Sequence, residues 1–350
     1  MNLIESNRYR AEVAAAAAYP LEWEKLSGRS LLITGATGMI GSFLIDVIMS
    51  KPELGCKIYA VGRNAARAAE RFRDYEDGGL FRFITADINK PFDMGGEKID
   101  YVFHAASNTH PVAYATDPIG TVMTNIQGTY NMLEFAAAHK AERFVFASSV
   151  EVYGENRGDT ERFSEDYCGY IDCNTLRAGY PEGKRAGEAL CQAFIKQKGL
   201  DAVMPRLSRT YGPTMLMSDT KAISQFIKKG AAGEDIVLKS EGTQLYSYSY
   251  VADAAAAVLV CLLRGVCGEA YNVADAGSDI TLRDLAGIIA EYTGKRVVFE
   301  LPDETERAGY SKATKAILDS SKLKALGWEA LYDMKKGLSR TVDIIREVYF

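Results

Sequence analysis

The stretch that decides the fold is LLITGATGMIG, residues 31–41. It begins with a short apolar run and then carries three glycines, each three residues from the next, while residues 42–49 have apolar side chains at helical spacing. The pattern predicts a buried strand, a tight turn and the start of a helix. The N–H groups at such a helix start bind a pyrophosphate, which glycines allow to approach closely. The residues predicted to contact a dinucleotide are Gly35, Thr37, Gly38, Met39, Ile40 and Gly41.

The alternation of strand and helix continues along the first 207 residues. Apolar runs near residues 57–61, 81–85, 101–105, 143–147 and 202–206 alternate with helical stretches such as 122–139 and 183–198. This succession predicts an α/β protein with a Rossmann-type doubly wound parallel sheet and a smaller α/β substrate-binding lobe. The expected division is an N-terminal extension at 1–28, a dinucleotide-binding domain at 29–207 with about 246–265, and a substrate-binding lobe at 208–245 and 266–350.

Composition and charge argue against several classes of partner. The 350 residues carry a formal net charge of -5, so the chain lacks the basic surface of a nucleic-acid binder. Because no apolar run is long enough to cross a bilayer, we expect no membrane partner and a cytoplasmic location. The six cysteines have no paired CxxC spacing and only three histidines accompany them, so we predict no metal site.

The ends of the second and third strands bear on the choice of cofactor. The second strand ends without an acidic residue to bind a ribose 2′-OH, and Arg63 there suits a 2′-phosphate. The cofactor is therefore NAD(P), with a slight preference for NADP, although Arg63 stacked on adenine or simply solvated is the alternative. Asp87, with Ile88 behind it, is placed either beside the adenine amino group or as a plain turn residue.

Residues 180–184, YPEGK, place a phenol and an ammonium group one helical turn apart. A cation at that distance lowers the pKa of Tyr180, which makes the phenol a usable acid or base. The spacing alone is common. Its weight comes from the preceding strand, which ends in Ser148 and Ser149 at the edge where α/β proteins bind ligands.

With these motifs together, the sequence resembles the extended short-chain dehydrogenase/reductase family, specifically its nucleotide-sugar epimerases, dehydratases and decarboxylases. The resemblance spans residues 31–328. It is carried by TGATGMIG at 34–41, HAA at 104–106, NIQGT at 125–129, SSVEVYG at 148–154, the Tyr180/Lys184 pair and RLSRTYGP at 206–213.

The resemblance implies a role for each matching residue. Tyr180 removes a proton from a sugar hydroxyl, Ser149 hydrogen-bonds the same oxygen, and Lys184 binds the nicotinamide ribose. Hydride passes from the sugar to the cofactor and usually returns, by way of a transient 4-keto sugar. Ala105, Ala106 and Asn125 are expected at the cofactor and Ser107 at the substrate. Members of the family commonly form homodimers through the helix after Asn125 and the Tyr180 helix.

Position 151 separates the branches of this family. Simple 4-epimerases carry a small residue there, whereas dehydratases and decarboxylases carry a glutamate, as Glu151 does here. Glucose-type dehydratases also have an aspartic acid at the position of Val150, which cannot donate a proton. We therefore expect carbon-5 chemistry by a decarboxylase or a 4,6-dehydratase, with decarboxylases and mannose-type dehydratases as the closer matches. A 4-epimerase, a net NADPH-dependent carbonyl reductase and a cofactor-sensing interaction protein remain alternatives, as does a Glu151 that only binds backbone N–H groups.

Two residues depart from the family pattern where relatives hold the substrate diphosphate. Arg209 replaces the usual Asn before the Tyr-Gly-Pro element, and Tyr246 replaces the usual Arg before the Tyr-Val-x-Asp element. Arg209 suits either the lost phosphate contact or a sugar carboxylate, with a salt bridge as the alternative. Tyr246 suits packing or stacking on a base. Lys312 is a third substrate candidate, with a solvated surface charge as its alternative.

Overall fold

The computed structural model describes residues 2–109, 114, 116–300 and 314–350, without the side chains of residues 76 and 77. Its strands are β1 (Ser30–Thr34), β2 (Lys57–Gly62), β3 (Phe81–Thr85), β4 (Tyr101–His104), β5 (Arg143–Phe146), β6 (Ser148–Ser149), β7 (Ala202–Leu207), β8 (Arg209–Tyr211), β9 (Ile236–Leu238), β10 (Leu245–Tyr250), β11 (Ala270–Val273), β12 (Asp279–Thr281), β13 (Val297–Phe299) and β14 (Lys315–Ala316). Its helices are α1 (Asn7–Ala17), α2 (Met39–Met49), α3 (Ala65–Phe72), α4 (Pro118–Ala138), α5 (Gly179–Lys198), α6 (Ala222–Ala232), α7 (Val251–Arg264), α8 (Leu282–Thr293), α9 (Ser321–Lys324) and α10 (Met334–Tyr349).

The larger sheet is parallel throughout its described pairs. Its order is β11-β7-β5-β4-β1-β2-β3, with β6 paired to β7. The chain runs outward from β1 to β2 and β3, then returns to place β4 on the other side of β1. This reversal of strand order confirms the predicted doubly wound fold, and it opens a crevice at the carboxyl ends of β1 and β4.

Side chains of the central strand alternate between two helical layers. Leu31 and Ile33 of β1 belong to a core cluster with Phe43 of α2, whereas Leu32 belongs to a cluster with Met132 of α4. All five residues of β1 are buried. A strand covered on both faces reads as a continuous apolar run, which is why residues 31–33 show no polar alternation.

Two smaller sheets and three packed helices complete the fold. β8 and β14 pair in parallel with β10, β12 pairs with it in antiparallel fashion, and β9 pairs with β13. Helices α6, α8 and α10 pack against one another. One strand departs from the predicted division, because residues 270–273, expected in the second lobe, pair with β7 in the larger sheet. The domain boundaries otherwise stay predictions.

The N-terminal helix is anchored on the larger domain. Helix α1 contacts α2, α7 and α10, and its Tyr9 is fully buried. The Tyr9 hydroxyl donates a hydrogen bond to Asp46 of α2 and accepts one from Arg71 of α3 at 3.1 Å. Among the helices of the described residues, none combines the length and the apolar character that crossing a bilayer requires.

Candidate active site

A cavity of about 1830 Å³ extends from the crevice at the carboxyl edge of the larger sheet to β8 and β10. Because pockets for a single small ligand measure about 300–1,000 Å³, this cavity has room for a dinucleotide and a second ligand. Of the residues predicted from the sequence, those lining it are Gly35, Thr37, Gly38, Met39, Ile40, Gly41, Arg63, Asp87, Ile88, Ala105, Ala106, Ser107, Ser149, Glu151, Tyr180, Lys184, Arg209 and Tyr246.

The glycine turn leaves no room for side chains. Gly35 has a φ of 68°, which glycine adopts without strain, and a Cβ there would lie 2.8 Å from the backbone of Ala105. A Cβ at Gly41 would lie 2.6 Å from the Gly35 carbonyl oxygen. Helix α2 begins at Met39, directly after the turn and at the cavity wall. The arrangement fits the pyrophosphate of a dinucleotide, which needs a helix start that it can approach closely.

Arg63 and Asp87 lie at neighbouring strand ends of the same cavity. Arg63 is exposed just beyond β2, where the side chain of Asn64 caps α3 by accepting a hydrogen bond from the Arg67 N–H at 2.9 Å. Asp87 accepts a hydrogen bond from the Asn89 N–H at 3.0 Å, which is the turn geometry of its second predicted role. Both residues line the cavity, and their contacts with the adenosine half of a dinucleotide stay predictions.

Asn125 is the predicted cofactor contact that the fold keeps away from the cavity wall. It is 1% exposed, and its amide is engaged at both ends: Ser107 donates to its Oδ1 at 2.8 Å, and its Nδ2 donates to the Thr121 carbonyl at 2.8 Å. A Cβ at Gly183 of α5 would lie 2.7 Å from the Asn125 Cβ. Asn125 therefore orients Ser107, which lines the cavity, and lies at the close contact between α4 and α5; its contact with the cofactor stays a prediction.

The hydroxyl groups of Tyr180 and Ser149 form a neighbouring pair in the cavity, at the end of β6. Burial raises the pKa of the Tyr180 phenol to about 12, while the Ser149 hydroxyl lowers this pKa and the Glu151 carboxylate raises it. The sequence predicted that Lys184 would lower the pKa of Tyr180, but Lys184 is not among these influences. A phenol with this pKa keeps its proton at neutral pH and is able to donate a hydrogen bond to a ligand oxygen.

Lys184 is buried one turn along α5 from Tyr180. Its Nζ donates to the Ala147 carbonyl at 2.7 Å and lies 4.7 Å from the centroid of the Phe146 ring and 5.8 Å from that of Tyr180. Burial lowers the pKa of this ammonium group to about 7. With a pKa close to neutral pH, the Lys184 amine can exchange a proton there.

Glu151 lies between two arginines beside the hydroxyl pair. Its carboxylate oxygens are 3.7 Å from Nη2 of Arg177 and 3.5 Å from Nη2 of Arg209, and its backbone N–H donates to the Ser149 Oγ at 3.2 Å. The carboxylate thus faces guanidinium groups rather than backbone N–H groups. We call Glu151, Arg177 and Arg209 the ion cluster.

The two departures from the family pattern meet in space. The register of β8 and β10 places Arg209 opposite Tyr248, and the Arg209 guanidinium lies over the Tyr246 ring, 3.5 Å from its centroid. Among the described residues, its Nη1 is buried without a hydrogen-bond partner. Arg209 therefore combines a stacked face with one N–H edge that is unpaired among the described residues. Lys312, the third predicted substrate contact, lies outside the described residues.

Two residues of the site were missed by the sequence analysis. The Tyr114 ring stacks on Tyr180 with centroids 5.3 Å apart, and the Arg177 guanidinium lies 5.8 Å from the Tyr114 centroid. Arg177 precedes Tyr180 by three residues, so a helical-spacing search around the YPEGK motif would have found it. Tyr114 carries no such signal, because only the fold brings it to the cavity.

Comparisons with known proteins show the family of this chain. Residues 31–274 match the family described as NAD-dependent epimerase/dehydratase. UDP-glucuronic acid decarboxylase 1 from Xenopus tropicalis is 30% identical over 323 residues, which cover 91% of this chain and 72% of that protein.

Solved structures match the chain over nearly its whole length. UDP-glucose 4-epimerase from Thermotoga maritima, solved with UDP-glucose, has a TM-score of 0.78 and 25% identity over 92% of this chain and 100% of its own. MoeE5, solved in complex with UDP-glucuronic acid and NAD, has a TM-score of 0.75 and 25% identity over 91% of this chain and 99% of its own. These matches confirm the family that the motifs predicted and its nicotinamide cofactor. The chain therefore belongs to the NAD-dependent epimerase/dehydratase family.

Proposed function

We propose that this protein is an NAD-dependent enzyme that decarboxylates a nucleotide-linked uronic acid through a transient 4-keto sugar. The observation that carries the proposal is the ion cluster directly beside the Ser149–Tyr180 pair. The pair would hydrogen-bond a sugar hydroxyl, and the arginines of the cluster would bind an anionic group on the neighbouring carbon. The size of the cavity and the decarboxylase relatives support the same assignment.

The chain's own groups account for the proton transfers. Bound NAD supplies the acceptor for hydride from sugar carbon 4 and a positive charge that favours the Tyr180 phenolate. Tyr180 takes the proton of the 4-hydroxyl, and Ser149 hydrogen-bonds the same oxygen. Lys184 has a pKa of about 7, so its amine can accept or release a proton beside Tyr180 at neutral pH. The product of this step is a 4-keto sugar, in which a carbon-6 carboxylate is β to the ketone.

Decarboxylation follows from that placement of the carboxylate. The bond between carbons 5 and 6 breaks, carbon dioxide leaves, and its electron pair moves through carbon 5 to oxygen 4. The Tyr180 and Ser149 hydroxyls stabilise the negative charge on this oxygen by donating hydrogen bonds to it. Solvent supplies a proton to carbon 5. Tyr180 would return its proton to oxygen 4 as hydride from the bound cofactor reduces carbon 4, so the reaction would have no net redox change.

Dehydration is the second candidate, and Val150 weighs against it. Loss of water needs a base at carbon 5 and an acid that protonates the leaving hydroxyl at carbon 6, and Val150 has no proton to donate. Loss of carbon dioxide needs no such acid. Glu151 favours either reaction over simple 4-epimerisation, because its carboxylate lies beside the pair that would create the ketone.

The family does not by itself decide whether the protein prefers NAD or NADP. Arg63 at the end of β2 supports the slight preference for NADP, while the family description names NAD. Dissociation constants for the two cofactors, compared between the protein and its Arg63→Ala variant, test it. A preference for NADP that disappears in the variant supports the assignment, and an unchanged ratio contradicts it.

Mass spectrometry of the products tests the proposed reaction. The purified protein with NAD and no added reductant is incubated with UDP-glucuronic acid, UDP-glucose and UDP-galactose. We expect loss of carbon dioxide from UDP-glucuronic acid only, and none with the Tyr180→Phe variant. Loss of water from UDP-glucose would favour the dehydratase, and no change of mass with altered stereochemistry the epimerase. Stoichiometric oxidation of added NADPH would instead identify a net reductase and refute the proposal.

We also propose that two copies associate through α4 and α5. Ile119, Met123, Ile126 and Tyr130 form an apolar stripe along α4, spaced three or four residues apart, and are 78%, 44%, 36% and 41% exposed. A twin helix would bury this stripe, and removal of apolar area from water drives such association. Light scattering on the purified protein is expected to give twice the mass of the chain. The cytoplasmic location stays a prediction that cell fractionation would test.

A further inference from the structure

The Arg209 guanidinium has one edge that the described residues leave without an acceptor. Its face lies over the Tyr246 ring, and its Nη2 faces the Glu151 carboxylate at 3.5 Å. Its Nη1 is buried and, within the described residues, makes no hydrogen bond. Because a buried charged donor without a partner is strongly unfavourable, such an atom marks the place of an acceptor that arrives with a ligand.

The charge of the ion cluster indicates the kind of acceptor. Two guanidinium groups, those of Arg177 and Arg209, face the single carboxylate of Glu151. The cluster therefore carries one uncompensated positive charge at neutral pH. A guanidinium group stacked on an aromatic ring keeps its in-plane N–H edges available, and those edges match the geometry of a carboxylate or a phosphate.

The position of the cluster distinguishes between those two anions. Glu151 follows Ser149 by two residues, and the Ser149 hydroxyl is hydrogen-bonded to both Tyr180 and the Glu151 N–H. Only the Glu151 carboxylate thus separates Arg209 from the two hydroxyl groups that would bind the hydroxyl on sugar carbon 4. In a nucleotide sugar the diphosphate is attached at carbon 1, across the ring from carbon 4, whereas carbon 6 is attached to the neighbouring carbon 5. A carbon-6 carboxylate is the anion within reach.

We propose that Nη1 of Arg209, held in place by Tyr246, binds the carbon-6 carboxylate of the substrate and makes the enzyme selective for nucleotide-linked uronic acids over neutral nucleotide hexoses. The inference rests on the proposed function, since it assumes that the cavity binds a nucleotide sugar. By this inference, Arg209, which stands where relatives have Asn, contacts the sugar carboxylate and not the diphosphate.

The test compares three ligands that differ in one group at a time. Dissociation constants for UDP, UDP-glucose and UDP-glucuronic acid are measured by calorimetry with the NAD-loaded protein and with its Arg209→Ala, Arg209→Lys and Arg296→Ala variants. All of these proteins also carry Tyr180→Phe, which prevents turnover of UDP-glucuronic acid, and the protein without a further change is called the wild type in this comparison. Arg296 is the matched control, because its side chain is 84% exposed, pairs with Asp235 and lies outside the cavity lining.

We expect the wild type and the Arg296→Ala variant to bind UDP-glucuronic acid more tightly than UDP-glucose, by roughly 10- to 100-fold, as for one charge-assisted hydrogen-bonded pair. In the Arg209→Ala variant this ratio falls toward one, while the affinities for UDP and UDP-glucose stay within about twofold. Arg209→Lys keeps part of the ratio, because it keeps the charge and loses the planar edge. The retained affinity for UDP confirms that the variants are folded.

Two results would overturn the inference. If Arg209→Ala weakens UDP, UDP-glucose and UDP-glucuronic acid equally, Arg209 binds the diphosphate. If the wild type does not prefer UDP-glucuronic acid to UDP-glucose, no carboxylate contact exists. Failure of the wild type to bind all three ligands is a distinct outcome, which refutes the proposed function and the inference with it.

Discussion

Replacing Gly41 by alanine tests whether the turn before α2 is held in the shape that a dinucleotide needs. The new Cβ would lie 2.6 Å from the Gly35 carbonyl oxygen and 3.2 Å from the Ala36 Cα. The first distance is about 0.8 Å short of the 3.4 Å at which ordinary contacts begin. Both neighbours are backbone atoms of the same turn, so they cannot move aside as the end of a flexible side chain would.

The size of the effect follows from this overlap. Insertion of one methyl group into a packed site costs about 1–3 kcal/mol. If the free protein relieves the overlap by displacing the turn, NAD binding must restore the original turn. The whole free-energy cost of the overlap is then subtracted from the binding free energy. At about 1.4 kcal/mol for each tenfold change in affinity, NAD binding becomes roughly 5- to 150-fold weaker.

Calorimetric titration with NAD measures this loss, and denaturation in saturating NAD shows whether strain appears instead as lost stability. Gly287→Ala is the matched control: Gly287 lies within α8, a Cβ there would meet no atom within 4 Å, and alanine favours the helix. We expect unchanged NAD affinity in this control. Neither substitution changes the charge of the protein, so a difference between the two variants reports the steric effect. Equal NAD affinity and stability in Gly41→Ala and the wild type would refute the steric reasoning.

Three further predictions use other parts of the molecule. Glu151→Gln is expected to slow product formation by roughly 10²- to 10⁴-fold, which is the range for loss of an acid/base group. Mass spectrometry of the products measures the rate. An equal loss of rate in the control Glu161→Gln, which changes an exposed residue, would contradict a role of Glu151 at carbon 5. Burial lowers the pKa of His104 from 6.5 to about 3, so the unfolded chain binds the extra proton and stability falls as pH falls below 6.5. Between pH 6.5 and 5.5 the wild type should lose about 1 kcal/mol more unfolding free energy than His104→Gln in urea denaturation, and parallel losses would contradict this. Ile126→Glu places a charge in the α4 stripe and should halve the mass measured by light scattering, whereas an unchanged mass would exclude this stripe as the interface.

Local patterns predicted the strand, the turn and the helix start on the proposed cofactor side of the site. The run at 31–41 combines a buried strand, a glycine turn and a helix start within a few residues, so its geometry follows from short-range sterics and hydrogen bonding. The Tyr180–Lys184 spacing likewise follows from one turn of a helix. Its electrostatics did not follow, because the shift in each pKa depends on burial by residues distant in the chain.

What the sequence alone determined is therefore the doubly wound sheet, the glycine turn before α2 and the spacing of the candidate catalytic side chains, since each is encoded by neighbours in the chain. Only the tertiary structure decided how Arg209, Tyr246 and Glu151 combine. Pairing of β8 with β10 brings the first two together, and the turn after β6 delivers the third. The physical reason is that contacts between strands far apart in sequence depend on register and packing, which no local pattern specifies.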